Sequence, residues 1–346
     1  MWEIQPDWAQ LNNFYVNHNN TKYSLTWSNG ETTTSDPSIQ LSNIQNRSFS
    51  ITTQDGQSCA FIAPKRSLKI HNGDSVNCVD VSKDGKEILS GDSKGRLFLT
   101  YIGTDPVPLP GPTADFDLEC CIFDHTHKLF FACGGDFRIY EYSATEYQAT
   151  GRYDGHKSSV KHIAVKENSL FSGSYDCSIM KWDISKRSKI STYQVNSQVN
   201  DFCFTSSDLL IAATEQRLKS IDIKTGLPAA APNLGKSTSF NCCASFENDI
   251  VAGTNDGEVA IWDIRNTDTP VAVWSWYDSP INKLSYNGNK LWVGTNDGTA
   301  ALIDVREKRS LALLGTQAYA PVRDLAYNDV SAWTADGEGT LLFFEL

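Results

Sequence analysis

The sequence predicts an all-β chain, a seven-bladed β-propeller behind a small β-containing N-terminal extension. Three observations predict it. Apolar strand-like runs recur with a period of about 40 residues. One repeat carries a complete blade signature from Gly155-His156 to Trp182-Asp183. The composition, 11% aromatic with only 2 Met in 346 residues, suits sheets better than helical bundles.

The third repeat shows the unit in full. Gly155-His156 opens it, and an apolar strand follows over Val160–Val165. Leu170-Phe171-Ser172-Gly173-Ser174-Tyr175-Asp176 then reads as a strand entering a tight turn, and Ile179-Met180-Lys181-Trp182-Asp183 closes the unit. This Gly-His to Trp-Asp pattern is that of a four-stranded WD-repeat blade. His156, a serine of the second strand (Ser172 or Ser174), Asp176 and Trp182 are expected to form a buried hydrogen-bonded chain. Buried apart, each would leave an unpaired polar group costing roughly 1–3 kcal/mol. These residues are therefore structural, as are Asp256 and Trp262 at the matching places of the fifth repeat.

Two rulers run along the chain. Turn positions recur at Lys94, Asp136, Asp176, Glu215, Asp256, Asp297 and Asp336. An apolar residue and its successor recur at Val76-Asn77, Leu118-Glu119, Val160-Lys161, Val199-Asn200, Phe240-Asn241, Ile281-Asn282 and Val322-Arg323. A small sheet that is apolar on both faces cannot bury them alone. Seven stacked around an axis bury every face and leave only short edges.

Leu341–Leu346 reads as the third strand of the last unit, so its fourth strand is expected from before the first. Cys59-Ala60-Phe61-Ile62 and Ser67-Leu68-Lys69-Ile70 are the two candidates. The expected division is an extension over 1–57 and a propeller over 58–346, with its outer last strand drawn from about 58–71. Within the extension, Lys22–Trp27 and Ser48–Thr53 alternate with the period of strands, and Ser28–Ser38 is rich in turn residues.

Charge and cysteine usage exclude several function classes. A net charge of −11 disfavours nucleic acid and anionic membranes while permitting a basic protein partner. Nine cysteines without a Cys-x-x-Cys pair read as small buried hydrophobes in a reducing compartment. Cys78, Cys120, Cys121, Cys203, Cys242 and Cys243 fall at similar places in their repeats. The start lacks the basic and apolar regions of a signal peptide, and no run of about 18 apolar residues spans a membrane. A cytoplasmic location, extending to the nucleus, and a monomeric state are expected.

No catalytic constellation emerges. Six histidines are scattered, and His125-x-His127 lacks a third metal ligand. Gly91-Asp92-Ser93-Lys94-Gly95 reads as a hairpin turn that opens no helix, so it is not a phosphate loop. The expectation is a binding protein with no catalytic residue, cofactor or metal. Loops entering the inner strands carry Asp74, Asp117, Glu119, Asp201, Asp278 and Asp324 on one face, with fewer bases: Lys157, Lys161, Lys283 and Arg323. Loops held by a rigid scaffold carry function, so this acidic rim is the candidate partner-binding surface. Trp276 and Tyr277 are its candidate aromatic anchors.

Several stretches, inside and outside the repeats, resemble the proteasomal ATPase-associated factor family. They are Ile4-Gln5-Pro6-Asp7-Trp8-Ala9-Gln10, then Phe61-Ile62-Ala63-Pro64, Ile70-His71 and Val76-Asn77-Cys78-Val79-Asp80-Val81. The fifth unit adds Phe240-Asn241-Cys242-Cys243, Ala252-Gly253-Thr254, Asp256-Gly257, Asp263-Ile264-Arg265 and Pro270-Val271. The resemblance implies a propeller chaperone of proteasome regulatory-particle assembly. Such a protein binds the C-terminal domain of one regulatory-particle ATPase, the sixth subunit of the ring, blocks premature docking to the core particle, and then leaves. A rival reading comes from Trp262-Asp263-Ile264-Arg265, which resembles the Trp-Asp-x-Arg box of substrate receptors for cullin-four ubiquitin ligases. Another WD-repeat scaffold role is the remaining alternative.

Overall fold

A computed structural model describes residues 3–6, 14–17, 23–27, 32–35, 38–41, 48–53, 58–110, 116–206, 208–275, 278–307, 309–314, 320–328 and 331–346. The seven-bladed, all-β propeller expected from the repeat is the fold found. The inner strands of the blades are Val76–Val81, Leu118–Asp124, Val160–Lys166, Val199–Phe204, Phe240–Phe246, Ile281–Tyr286 and Val322–Tyr327. Each is followed by antiparallel neighbours in sequence order. Every inner strand packs beside the next, and the seventh packs beside the first, which closes the ring around a central channel.

The sequence explains the layering. Second strands such as Ser169–Ser174 and Leu209–Thr214 are buried along almost their whole length, because a blade lies on either side of them. They accordingly read as unbroken runs of apolar and small residues rather than as alternating ones. Outer strands such as Ser188–Gln194 are mostly exposed and polar. An apolar cluster fills each of the seven blade interfaces. In the closing interface, Val76, Val79, Val81 and Ile88 of blade one meet Ala326, Trp333, Ala335, Leu341 and Phe343 of blade seven.

Both segments considered for the last outer strand are used, in different blades. Arg66–Leu68 pairs antiparallel with Leu341–Glu345 and completes blade seven. Ser58–Ile62 instead runs parallel to Arg309–Leu314, the outer strand of blade six, with Ala60 opposite Ala312. Phe49–Thr53, Tyr23–Trp27 and Thr32–Ser35 continue that sheet to eight strands. Ala63-Pro64-Lys65 carries the chain from one blade edge to the next. Pro64, which has no N–H to offer a ladder, suits this crossing, and Lys65 N–H donates to Phe343 O at 2.7 Å. A separate three-stranded sheet joins Glu3–Pro6, Phe14–Asn17 and Ser38–Leu41.

Candidate functional site: the channel mouth

In every inner strand the ladder skips the residue after the apolar anchor. Such a bulge re-aims a side chain out of the sheet. Repeated in every blade, it builds a ring of Asn77, Glu119, Lys161, Asn200, Asn241, Asn282 and Arg323. The next residue of each strand forms a second ring: Cys78, Cys120, His162, Asp201, Cys242, Lys283 and Asp324. All of the first ring and most of the second line a cavity of about 490 Å³ at the mouth of the channel.

Carboxylates staple neighbouring blades here. Asp324 accepts Val79 N–H of blade one at 2.9 Å through Oδ2, while its Oδ1 accepts Leu325 N–H and faces Lys283 Nζ at 3.0 Å. Asp201 accepts Cys243 N–H of blade five at 3.1 Å and faces His162 Nδ1 at 3.2 Å. Asp80 accepts Phe123 N–H of blade two at 2.7 Å. Burial alone would push the Lys283 ammonium down, but the carboxylates of Asp324 and Asp201 hold it well above the ordinary lysine range. Burial likewise opposes protonation of His162, and Asp201 with Cys120 outweighs it.

These bonds divide the expected acidic rim by burial. Asp201 and Asp324 are each 6% exposed, and they serve as blade staples rather than as surface charge. Glu119 is tied to Lys161 at 2.5 Å and Asp74 to Arg96 at 2.6 Å. Asp117 and Asp278 are exposed. Trp276 and Tyr277 lie outside the described residues, and Trp274 beside them is buried against blade six. The structure also brings out residues that sequence reasoning passed over, namely Asp80 and the asparagines. The asparagine signal was present, since Asn follows the anchor in four of seven repeats.

The expected hydrogen-bonded chain of blade three is present, with Ser172 rather than Ser174 as its hub. His156 Nδ1 meets Asp176 Oδ2 at 2.8 Å, His156 Nε2 meets Ser172 Oγ at 2.7 Å, and Trp182 Nε1–H donates to Ser172 Oγ at 2.8 Å. Blade one holds a variant in which His71 bridges Asp92 and Ser90 at 2.8 and 2.9 Å. Its acid stands two residues before Lys94, the position the turn ruler picked. Register also moves the seventh turn position from Asp336, which sits opposite Val322, to Glu338.

The fifth repeat keeps only part of the signature. Asp256 is exposed and accepts from Thr238 Oγ1 at 2.8 Å. Trp262 is fully buried, yet its indole donates to Asn233 O at 3.1 Å. With Thr238 in the histidine place and Ala252 opposite Ala260, the hub hydroxyl is missing, and the pair no longer forms one chain.

A second cavity of about 540 Å³ lies beside the inner strands of blades one to three, lined by Asp80, Ile122, His125 and Ala164 among others. His127 is held by Asp124 at 2.5 Å and Asn168 at 2.9 Å, while His125 stacks on Phe123 and accepts Lys83 N–H. The two imidazoles thus serve different partners. Among the described residues, no group of three His, Cys, Asp or Glu side chains is placed to hold a metal ion. Arg265, in the Trp-Asp-x-Arg segment, is folded onto the carboxylate of Asp263.

Comparison with known proteins gives a consistent architecture and several functions. The WD domain, G-beta repeat family matches residues 62–99 and 147–183, and the Nucleolar protein 10-like, N-terminal domain family matches residues 200–339. A Chlamydomonas reinhardtii "Ribosome biogenesis protein WDR12 homolog" is 27% identical over 248 residues, 67% of this chain and 50% of that protein. A Dictyostelium discoideum "Probable proteasomal ATPase-associated factor 1" is 30% identical over 88 residues, 23% of this chain and 21% of that protein. The chain thus spans half or less of these relatives' length. The solved WD40 repeats of RRP9 superpose with a TM-score of 0.71 at 16% identity, covering 81% of this chain and 97% of that one. Two stretches match the WD40 repeat itself, so the chain carries WD40 repeats, and the ring superposes on a solved propeller, which gives the same fold.

Proposed function

We propose that the protein is a non-catalytic binding scaffold that acts in proteasome regulatory-particle assembly by holding the C-terminal domain of one proteasomal ATPase, the sixth subunit of the ring favoured. The observation that carries this reading is the 30% identity to a protein named as a proteasomal ATPase-associated factor. The resemblance of segments before the repeats supports it. A propeller with a closed core and loops exposed at both rims suits protein recognition, and the net charge of −11 suits a basic partner. Action in the cytoplasm and nucleus is part of the proposal. The test is affinity capture with the full chain as bait, followed by calorimetry against each ATPase C-terminal domain. Retention of one ATPase domain with a single-site isotherm is the expected result, and absence of all of them overturns the reading.

A second reading, a scaffold in ribosome biogenesis, is favoured by the 248-residue match to a ribosome biogenesis protein and by the nucleolar-protein match over residues 200–339. Capture of pre-ribosomal proteins in place of ATPases would select it.

A further inference from the structure

Cys120, on the inner strand of blade two, lines the mouth cavity together with His162, Asp201 and Lys283. Its Sγ lies 3.7 Å from His162 Nδ1 of blade three. The same nitrogen faces Asp201 Oδ1 of blade four at 3.2 Å, so Asp201 orients the ring and balances its charge. Burial disfavours the imidazolium, but Asp201 and Cys120 outweigh it and raise His162. Cys133 stands directly opposite Cys120 on the neighbouring strand, and both belong to one apolar cluster.

These neighbours make the two thiols unlike. Cys133 beside it, then His162 and Lys283, stabilise the Cys120 thiolate against burial and hold it well below the ordinary cysteine range. Cys133 is fully buried, and burial pushes its own thiol well above that range. One sulfur is thus ionised at the cavity wall, and the other is a protonated thiol behind it. Cys78 and Cys121 also approach each other, but burial pushes both up and neither lines the mouth. The thiolate is the nucleophilic form of cysteine, and His162 beside it carries a proton for a leaving group. Asp117, Glu119, Asp201 and Asp324 on the same wall disfavour an anionic reagent. A small neutral oxidant fits the chemistry of the site.

We propose that Cys120 is a hydrogen-peroxide-reactive thiol at the channel mouth and that Cys133 resolves its oxidised form as a disulfide. In the first step the Cys120 thiolate attacks one peroxide oxygen, the O–O bond breaks, and the leaving hydroxide takes the His162 proton. The products are a Cys120 sulfenic acid, one water and a neutral imidazole. In the second step the Cys133 sulfur attacks the sulfenic sulfur, the S–O bond breaks, and hydroxide leaves with the Cys133 proton as water. The two cysteines together lose two electrons, and one peroxide becomes two waters. Residues directly opposite in an antiparallel pair hold their Cα atoms about 4.5–5.5 Å apart, within the span of a disulfide. This inference goes beyond the binding reading and does not depend on which partner is bound.

The test is timed hydrogen-peroxide treatment of the reduced full chain at neutral pH, quenched by alkylation and read by mass spectrometry of tryptic peptides. Lys128 lies between Cys120 and Cys133, so the disulfide joins two peptides. Fragmentation distinguishes Cys120 from its neighbour Cys121. An ordinary thiol is only a few per cent ionised at neutral pH, so the Cys120–Cys133 link should form at least about tenfold faster than half-buried Cys177 is oxidised. Cys133→Ala should leave a Cys120 sulfenic acid that dimedone labels, and His162→Gln should slow the oxidation of Cys120 several-fold. Oxidation of Cys177 or Cys203 at an equal rate, a link through Cys121 instead, or no dimedone label on Cys120 in the folded Cys133→Ala chain overturns the proposal. The ranking of rates in the unsubstituted chain decides the matter even where a variant fails to fold.

Discussion

Asp324 in the last blade accepts the backbone N–H of Val79 in the first at 2.9 Å, across 245 residues of sequence. The carboxylate that closes the ring is also the counter-ion of Lys283 in blade six. Removing it leaves a cation behind in the channel wall and a backbone donor without its acceptor. Breaking one side of a buried ion pair costs about 3–5 kcal/mol. Lys283 keeps 24% of its side chain exposed, which places the expected loss for Asp324→Ala near the lower end. Adding Lys283→Met should restore part of it. Urea unfolding of the two single variants and the double variant measures this coupling, and additive losses would show that the two side chains do not interact.

Ser172 carries two bonds that no neighbour replaces. Ser172→Ala strands His156 Nε2 and Trp182 Nε1 together, and each unsatisfied group costs roughly 1–3 kcal/mol. Ser174 links Ser158 O, in the loop entering the blade, to Asp176 N–H of its own turn, and Ser174→Ala is expected to cost about 1 kcal/mol. Equilibrium unfolding in denaturant ranks the two, and equal losses would contradict the role of Ser172 as hub.

Asp80 makes stability depend on pH. Burial raises its carboxyl from 3.8 to about 7. Between those values the folded chain holds a proton that the unfolded chain has released. Its contribution is therefore full below the lower value, declines as pH rises through the window, and is lost above about 7. Asp80→Asn should flatten the stability profile between pH 5 and pH 7, as read by urea midpoints. An unchanged slope would assign the dependence elsewhere.

The latch separates two truncations. A chain starting at Asp74 lacks Arg66–Leu68, the fourth strand of blade seven, and also His71, which bridges Asp92 and Ser90. It is expected to melt several degrees lower or to aggregate through the bared edge of Leu341–Glu345. A chain starting at Ala63 keeps both features and should lie closer to the full-length melting temperature. Equal melting of full-length and Asp74-start chains would remove the latch.

Charge reversal divides the acids by burial. Asp117 and Asp278 are exposed, so reversing both should weaken binding of a basic partner mainly through association rate, with the effect fading at high salt. Reversing Asp201 or Asp324 should lower stability first, because each is bonded to the next blade. Calorimetry at two salt concentrations beside thermal melting separates the two outcomes.

Much of the fold was legible because the information is local and repeated. The anchors Val76 to Val322, the Gly-His to Trp-Asp signature and the small-residue second strands recur within about 40 residues of one another, so periodicity exposes them. The candidate site was less legible. Asp201 and Asp324 sit in loops-to-strand positions that look like any surface acid, and nothing local distinguishes them from Asp117. The tie of Asp336 to its strand end and the exposure of Asp256 escaped for a related reason, since a turn ruler does not see a two-residue change of register.

By itself, then, the amino-acid order determined the number of blades, their strands and the hydrogen-bonded chain of blade three, because strand alternation and a short-range signature specify them. Only the closed ring decided which acids are staples and which are surface, that Ser58–Ile62 joins blade six while Arg66–Leu68 joins blade seven, and that asparagines of separate blades line one mouth. Those outcomes depend on burial and on partners in other blades, up to 245 residues away, and burial exists only once the chain has closed on itself.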